Sequence, residues 1–156
     1  KSSDGSVLSF SNISSGVPAA GDFDGDGKGD FAPYSINGWV IARSNVNYAS
    51  VTFTRWGISG DQPVAADYDG DGTDDLAVFR PSNGTWYITK SGGGNDFIPF
   101  GIATDIPAPG DYDGDGKSDI AVYRGGTWYL KGSTSGVVIT QFGLSGDMPI
   151  PNRYLP

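Results

Sequence analysis

The phrase "DFDGDGKGD" at 22–30 returns as "DYDGDGTDD" at 67–75 and as "DYDGDGKSD" at 111–119, 45 and 44 residues apart. Four carboxylates in nine residues repel one another and suit neither helix nor strand, while the glycines permit a tight turn. A chain that sets this loop three times in one phase is restricted to repeat architectures with one loop per unit. Other features keep that phase. Prolines stand before the loops at Pro18, Pro63 and Pro107, with a fourth at Pro149. Aromatic-glycine pairs precede the later prolines at Trp56-Gly57, Phe100-Gly101 and Phe142-Gly143, and a Trp follows each loop in "NGWVI", "NGTWYI" and "GGTWYL".

Within a unit the pattern is all strand. "PVAAD" before a loop and "LAVFR" after it are short and β-rich, "GTWYITK" and "DFIPFG" follow, and no stretch has a helical apolar period. "LAVFR" and "IAVYR" are apolar at consecutive positions, so they are expected to be covered on both faces, as when small sheets stack. About 44 residues carrying four such strands predict an all-β fold of β-propeller-type blades. A β-trefoil also divides into three four-stranded units, and it is the competing architecture.

The expected organisation is a single repeat domain over 1–156, with units near 16–57, 62–101 and 106–143. Extra strands are expected at 6–10 ("SVLSF", in the phase of a unit's last strand) and 148–154 ("MPIPNRY", in the phase of a first strand). In that fourth phase Arg153 falls where Asp111 would be. The flanking strands either mark a piece cut from a longer array or serve to join neighbouring chains or close the domain. No charged-then-apolar leader opens the sequence, which fits a mature chain or an excised piece.

The loop spacing D-x-D-x-D-G-x-x-D assigns a chemistry. Carboxylates at positions 1, 3 and 5 of a tightly wound loop converge, the Gly at position 6 allows the turn, the position 7 carbonyl faces inward and position 9 returns a last carboxylate. The expected ligands are Asp22, Asp24, Asp26, the Lys28 carbonyl and Asp30; Asp67, Asp69, Asp71, the Thr73 carbonyl and Asp75; and Asp111, Asp113, Asp115, the Lys117 carbonyl and Asp119. With a water, each set offers six or seven oxygens, which suits Ca²⁺ better than Mg²⁺. The chain has no His and no Cys, so zinc and copper are poor candidates. Position 12 holds Pro33, Val78 or Val122 instead of a bidentate Glu, and the flanks are strands, so this is an EF-hand-like loop on a β scaffold. An unliganded acidic turn is the alternative for one loop; three in phase weigh against it.

Composition agrees. All 18 acidic residues are Asp, and 12 of them occupy matching places in the three loops. The net charge of −8 argues against nucleic acid or anionic lipid as partner, and three bound Ca²⁺ would bring it to about −2. Extracellular calcium modules bind at roughly 10⁻⁴–10⁻³ M, too weakly to fill in the cytosol, so the ion points outside the cell. Two sequons, at Asn12 and Asn83, matter only in a glycosylating pathway. No apolar run is long enough to span a membrane as a helix. Without His, Cys or Glu there is little to serve as nucleophile or general base, and the expectation is a non-enzyme.

The repeats resemble the FG-GAP family and its bacterial VCBS-like relatives, the blade type of the integrin α-subunit propeller. Phe100-Gly101 and Ala108-Pro109-Gly110 before Asp111 stand where that family has its eponymous motifs, and the likeness runs from about Gly16 to Gly143. The resemblance implies a β-propeller, structural Ca²⁺ between a blade's first and second strands, and secretion. It also implies adhesion or ligand binding, often as a module attached to secreted enzymes. Such rings usually close with about seven blades, and this sequence carries three.

Trp39, Trp86 and Trp128 are either sugar-stacking platforms or inter-blade core, and their single phase favours core, as it does for Trp56, Phe100 and Phe142. Arg80 and Arg124 end equivalent strands and are expected to pair with a carboxylate or cap a sheet edge. Asp61, Asp105 and Asp147, each two residues before a proline, are expected to stabilise turns. The functional expectation is a secreted calcium-binding repeat domain for adhesion or extracellular assembly. Its partner would be an extracellular protein or glycan, or other copies meeting head to tail through exposed blade faces. The alternative is a carbohydrate-binding module appended to a polysaccharide-active enzyme.

Overall fold

The computed structural model describes residues 16–36 and 38–150. It is built of antiparallel β-sheets, and no α-helix occurs among the described residues. The expected strand at 6–10, Asn12 and the part of the expected last strand at 151–154 lie outside the described residues; 148–150 carry no strand.

The second and third units are four-stranded meanders. β6 (Gln62–Pro63), β7 (Leu76–Arg80), β8 (Thr85–Thr89) and β9 (Asn95–Pro99) form one, and β10 (Ile106–Pro107), β11 (Ile120–Arg124), β12 (Thr127–Lys131) and β13 (Val137–Gln141) the other. The first unit has the same order, β1 (Ala20–Gly21), a divided second strand, β4 (Gly38–Ala42) and β5 (Val51–Thr54). Its second strand is split into β2 (Asp30–Phe31) and β3 (Tyr34–Ser35), both pairing with β4, because Pro33 interrupts it and has no N–H to give. The innermost strands are shorter than "PVAAD" suggests: after β6, only an isolated bridge from Ala66 to Asp75 continues the pairing. Gly125 and Gly126, at φ 54° and 94°, form the two-residue turn between β11 and β12 that a hairpin of this twist requires.

The double-sided burial expected of "LAVFR" is observed. Leu76 and Val78 of β7 pack into a cluster with Phe23, Ala32, Tyr34, Trp39 and Ile41 of the first unit. Ala77 and Phe79, on the opposite face, join Trp86, Ile88, Ile120 and Val122 between the second and third units. Blade stacks on blade through these two seams, which is a propeller arrangement and not the barrel of a trefoil. At about 25 cal/mol per Å² of apolar surface, such burial is the main source of stability.

One aromatic motif recurs in register. Tyr34, Phe79 and Tyr123 lie directly across from Trp39, Trp86 and Trp128, with ring centroids 5.1, 5.6 and 5.4 Å apart. The second residue of each acidic loop, Phe23, Tyr68 or Tyr112, packs on the same Trp at 6.2, 6.5 or 6.1 Å. The first two loops are thereby seated on the core, and the third on the half-buried Trp128.

Candidate metal centre

In each loop the position 1 carboxylate collects the loop's own amides. Asp22 accepts from the N–H groups of Gly25 and Asp26 through Oδ1 and of Gly27 through Oδ2. Asp67 and Asp111 do the same with Gly70, Asp71 and Gly72, and with Gly114, Asp115 and Gly116. The winding places two glycines per loop at φ between 73° and 86°, a region costly for other residues. Position 5 accepts from the position 7 N–H: Lys28 to Asp26, Thr73 to Asp71, Lys117 to Asp115.

The outcome is three carboxylate triads, Asp22–Asp24–Asp26, Asp67–Asp69–Asp71 and Asp111–Asp113–Asp115, in each of which one oxygen per residue lies within 4.8 Å of the others. Every donor is a hard oxygen, the set that fits Ca²⁺ or Mg²⁺ and not a soft metal.

The position 9 carboxylates stand apart from these triads. Asp30, Asp75 and Asp119 are buried, and both oxygens of each accept from backbone amides: Phe23 and Ser44 for Asp30, Tyr68 and Ser91 for Asp75, Tyr112 and Ser133 for Asp119, at 2.6 to 3.0 Å. In the structure they staple the start of each loop to the segment after the third strand. Burial pushes the Asp75 carboxyl up to about 6, with the charges of Asp69 and Asp67 adding to it and its two amide bonds opposing.

Sequence reasoning missed the serines at that staple. Ser44, Ser91 and Ser133 each give the backbone N–H to position 9 and the hydroxyl to position 5, reaching Asp26, Asp71 and Asp115 at 2.8, 2.6 and 2.6 Å. That hydroxyl is the foremost cause holding those three carboxyls below the usual carboxylate range, so they are kept ionised. The signal was a Ser 14 or 16 residues after each position 9 aspartate, easily lost among loop serines.

The tryptophans resolve differently. Trp39 and Trp86 are 0% exposed between units, so neither presents a ring face to a sugar, and the platform alternative fails there. Trp128 is half-buried on the open face of the third unit. Trp56 and Phe100 pack against the seams, but Phe142, also expected in the core, is 76% exposed because no unit follows it among the described residues. Asn83 lies exposed in the β7–β8 turn.

The arginine and aspartate expectations merge into one feature. Asp61 caps its turn by accepting from Ile58 N–H and takes a two-point contact from Arg80, at 2.8 and 2.9 Å. Asp105 does the same with Ile102 and Arg124, at 2.6 and 2.8 Å. Each aspartate directly precedes the first strand of a sheet and each arginine ends the second, one step beyond the Gln62–Phe79 and Ile106–Tyr123 pairs, so each ion pair closes the end of one unit's first strand pair.

Residues 67–122, from the first aspartate of the second loop through the third loop into β11, match the family model of the FG-GAP-like repeat. No curated protein and no solved structure matches the chain.

Proposed function

We propose that this chain, which carries an FG-GAP-like repeat on propeller-type blades, is a secreted, non-enzymatic calcium-binding domain used for adhesion or extracellular assembly. The observation that carries the reading is the threefold recurrence of an all-oxygen triad, held by the same amides and the same serine in every unit. The triads would hold the ion, with the carbonyls of Lys28, Thr73 and Lys117 and the carboxylates Asp30, Asp75 and Asp119 as the further oxygens that the spacing offers. When bound, Ca²⁺ supplies charge neutralisation and a fixed loop shape. The chain's own part is to keep the aspartates ionised and wound before the ion arrives. In the first loop the Lys28 ammonium lies 3.1 Å from Asp26, a surface pair weak enough to yield to a divalent cation.

Placement of the loops supports a structural role. Each sits beside a seam and packs on the Trp of its own unit, so fixing the loop fixes the stack. Secretion rests on the weak affinity expected of such sites, and assembly on the blade faces left open at both ends of the described units.

Calorimetric titration with Ca²⁺, followed by melting with and without chelator, tests the reading. Three sites per chain are expected. At about 1 mM Ca²⁺ and a Kd near 0.1 mM, each contributes about 1.4 kcal/mol, together raising Tm by roughly 10 °C for a domain of this size. A chain that melts identically in Ca²⁺ and chelator would overturn it.

A further inference from the structure

Neighbouring acidic loops touch at the same two places in both seams. The position 8 N–H of one loop donates to the position 1 carbonyl of the loop before it, Asp74 to Asp22 and Ser118 to Asp67, both at 2.7 Å. Position 4 of the earlier loop abuts the position 7 side chain of the later one. A Cβ on Gly25 would stand 3.0 Å from Thr73 Oγ1, and one on Gly70 3.0 Å from Lys117 Cγ.

These contacts reach the ligand sets on both sides. On the earlier side, Asp22 and Asp67 are the residues whose carboxylates wind their loops and enter the triads, so the accepting carbonyl belongs to a residue that a bound ion would hold. On the later side, the Asp74 N–H and the Thr73 carbonyl belong to one peptide group, as do the Ser118 N–H and the Lys117 carbonyl. No cis peptide occurs among the described residues, and in a trans peptide the N–H and C=O bonds point in opposite directions. Tying the N–H to the earlier loop therefore sets the tilt of a carbonyl that the spacing makes a ligand of the later loop.

The first junction is the tighter one. There the Asp74 carboxylate also accepts from Asp22 N–H at 2.6 Å. At the second, Ala66 stands where Gly21 does and Ser118 where Asp74 does, and only the backbone bond is made.

We propose that Ca²⁺ binding at adjacent loops is coupled through the peptide between positions 7 and 8, so that filling one loop raises the affinity of its neighbour, more across the first junction than across the second. This rests on the calcium reading above and adds a regulation to it: the row fills over a narrower range of Ca²⁺ than independent sites would. A loop whose carbonyl is already tilted by a fixed neighbour has less freedom left to lose on binding. Charge acts the other way, since a cation in one loop disfavours a cation in the next. Salt screens that repulsion, with a Debye length of about 8 Å at 0.15 M and about 3 Å at 1 M, and leaves the peptide link in place.

The test is a CaCl₂ titration of the full chain followed by amide NMR, with the position 6 glycines Gly27, Gly72 and Gly116 reporting one loop each. Asp24→Asn with Asp26→Asn disables the first loop and keeps its position 1 residue. The second loop is then expected to bind more weakly by about threefold or more, and the loss to shrink when Asp74→Ser makes the first junction like the second. Disabling the second loop with Asp69→Asn and Asp71→Asn must weaken the first in turn, because coupling is reciprocal; an effect in one direction only rejects it. Second-loop affinity that stays the same or rises when the first loop is disabled would overturn the coupling and leave the calcium sites standing. No movement of any of the three glycines in the wild type would overturn both. The wild type also gives a reading free of substitutions: Gly27 and Gly72 isotherms steeper than a one-site curve are expected, the more so in 1 M salt, and one-site curves at both reject the coupling.

Discussion

The backbone N–H of Asp22 donates to the Asp74 carboxylate at 2.6 Å, and the Asp74 N–H returns a 2.7 Å bond to the Asp22 carbonyl. The first residue of one acidic loop is thus clamped to the eighth residue of the next across the seam between units. Gly21 beside it leaves the space this requires, since a Cβ there would run into the Asp74 carboxylate. At the following seam Ser118 supplies only the backbone half, N–H to Asp67 O at 2.7 Å.

Asp74→Ala is therefore expected to leave the Asp22 amide without its partner, costing about 1–2 kcal/mol, and to weaken Ca²⁺ binding at the first loop. Ser118→Ala keeps its backbone bond and should change stability by less than about 0.5 kcal/mol. Chemical denaturation and amide exchange at Asp22 and Phe23 compare the two.

Positions 3 and 9 of a loop should behave differently. Asp69→Asn is expected to reduce Ca²⁺ affinity tenfold or more while leaving metal-free stability near wild type, since Asp69 is partly exposed in the triad. Asp75→Ala orphans the amides of Tyr68 and Ser91 and is expected to cost about 2–4 kcal/mol even in chelator. Urea melts in excess chelator read the second effect, and titration calorimetry the first.

The two aspartate–arginine pairs differ in depth. The side chain of Arg80 is 18% exposed and that of Arg124 35%. Asp61→Ala, which strands the deeper arginine, is expected to cost about 3 kcal/mol. Asp105→Ala should cost less. Arg80→Lys loses the two-point fork and the stacking on Tyr87, so it should not behave as a conservative change. Equilibrium unfolding of the three variants gives the order.

Two tryptophans of equal burial should respond unequally to Phe. Trp86 Nε1–H donates to Phe100 O at 2.9 Å, whereas Trp39 Nε1–H is buried with no acceptor. Trp86→Phe loses a bond and strands a carbonyl; Trp39→Phe removes an orphan donor. The first is expected to be the more destabilising by about 1–2 kcal/mol, measurable by thermal melting.

Much of this was legible in the chain. The three units, their loops and the doubly covered strands could be read because "LAVFR" and "IAVYR" abandon alternation, which only burial on both faces explains. The short inner strands were not, because Pro and Ala support an extended conformation whether or not a ladder forms. Arg80 and Asp61 were each singled out, yet they lie 19 residues apart in the chain, and only the register of β6 on β7 brings them together. The staple of Asp30, Asp75 and Asp119 was hidden for another reason. A carboxylate at position 9 satisfies a ligand pattern and an amide-capping role equally well, and only the bonds to Ser44, Ser91 and Ser133 display the second.

The most direct test of the calcium assignment is an anomalous difference map from crystals grown in millimolar CaCl₂. Three peaks are expected, each about 2.3–2.6 Å from oxygens of one aspartate triad. A map with ordered loops and no peak at any of the three would contradict the account.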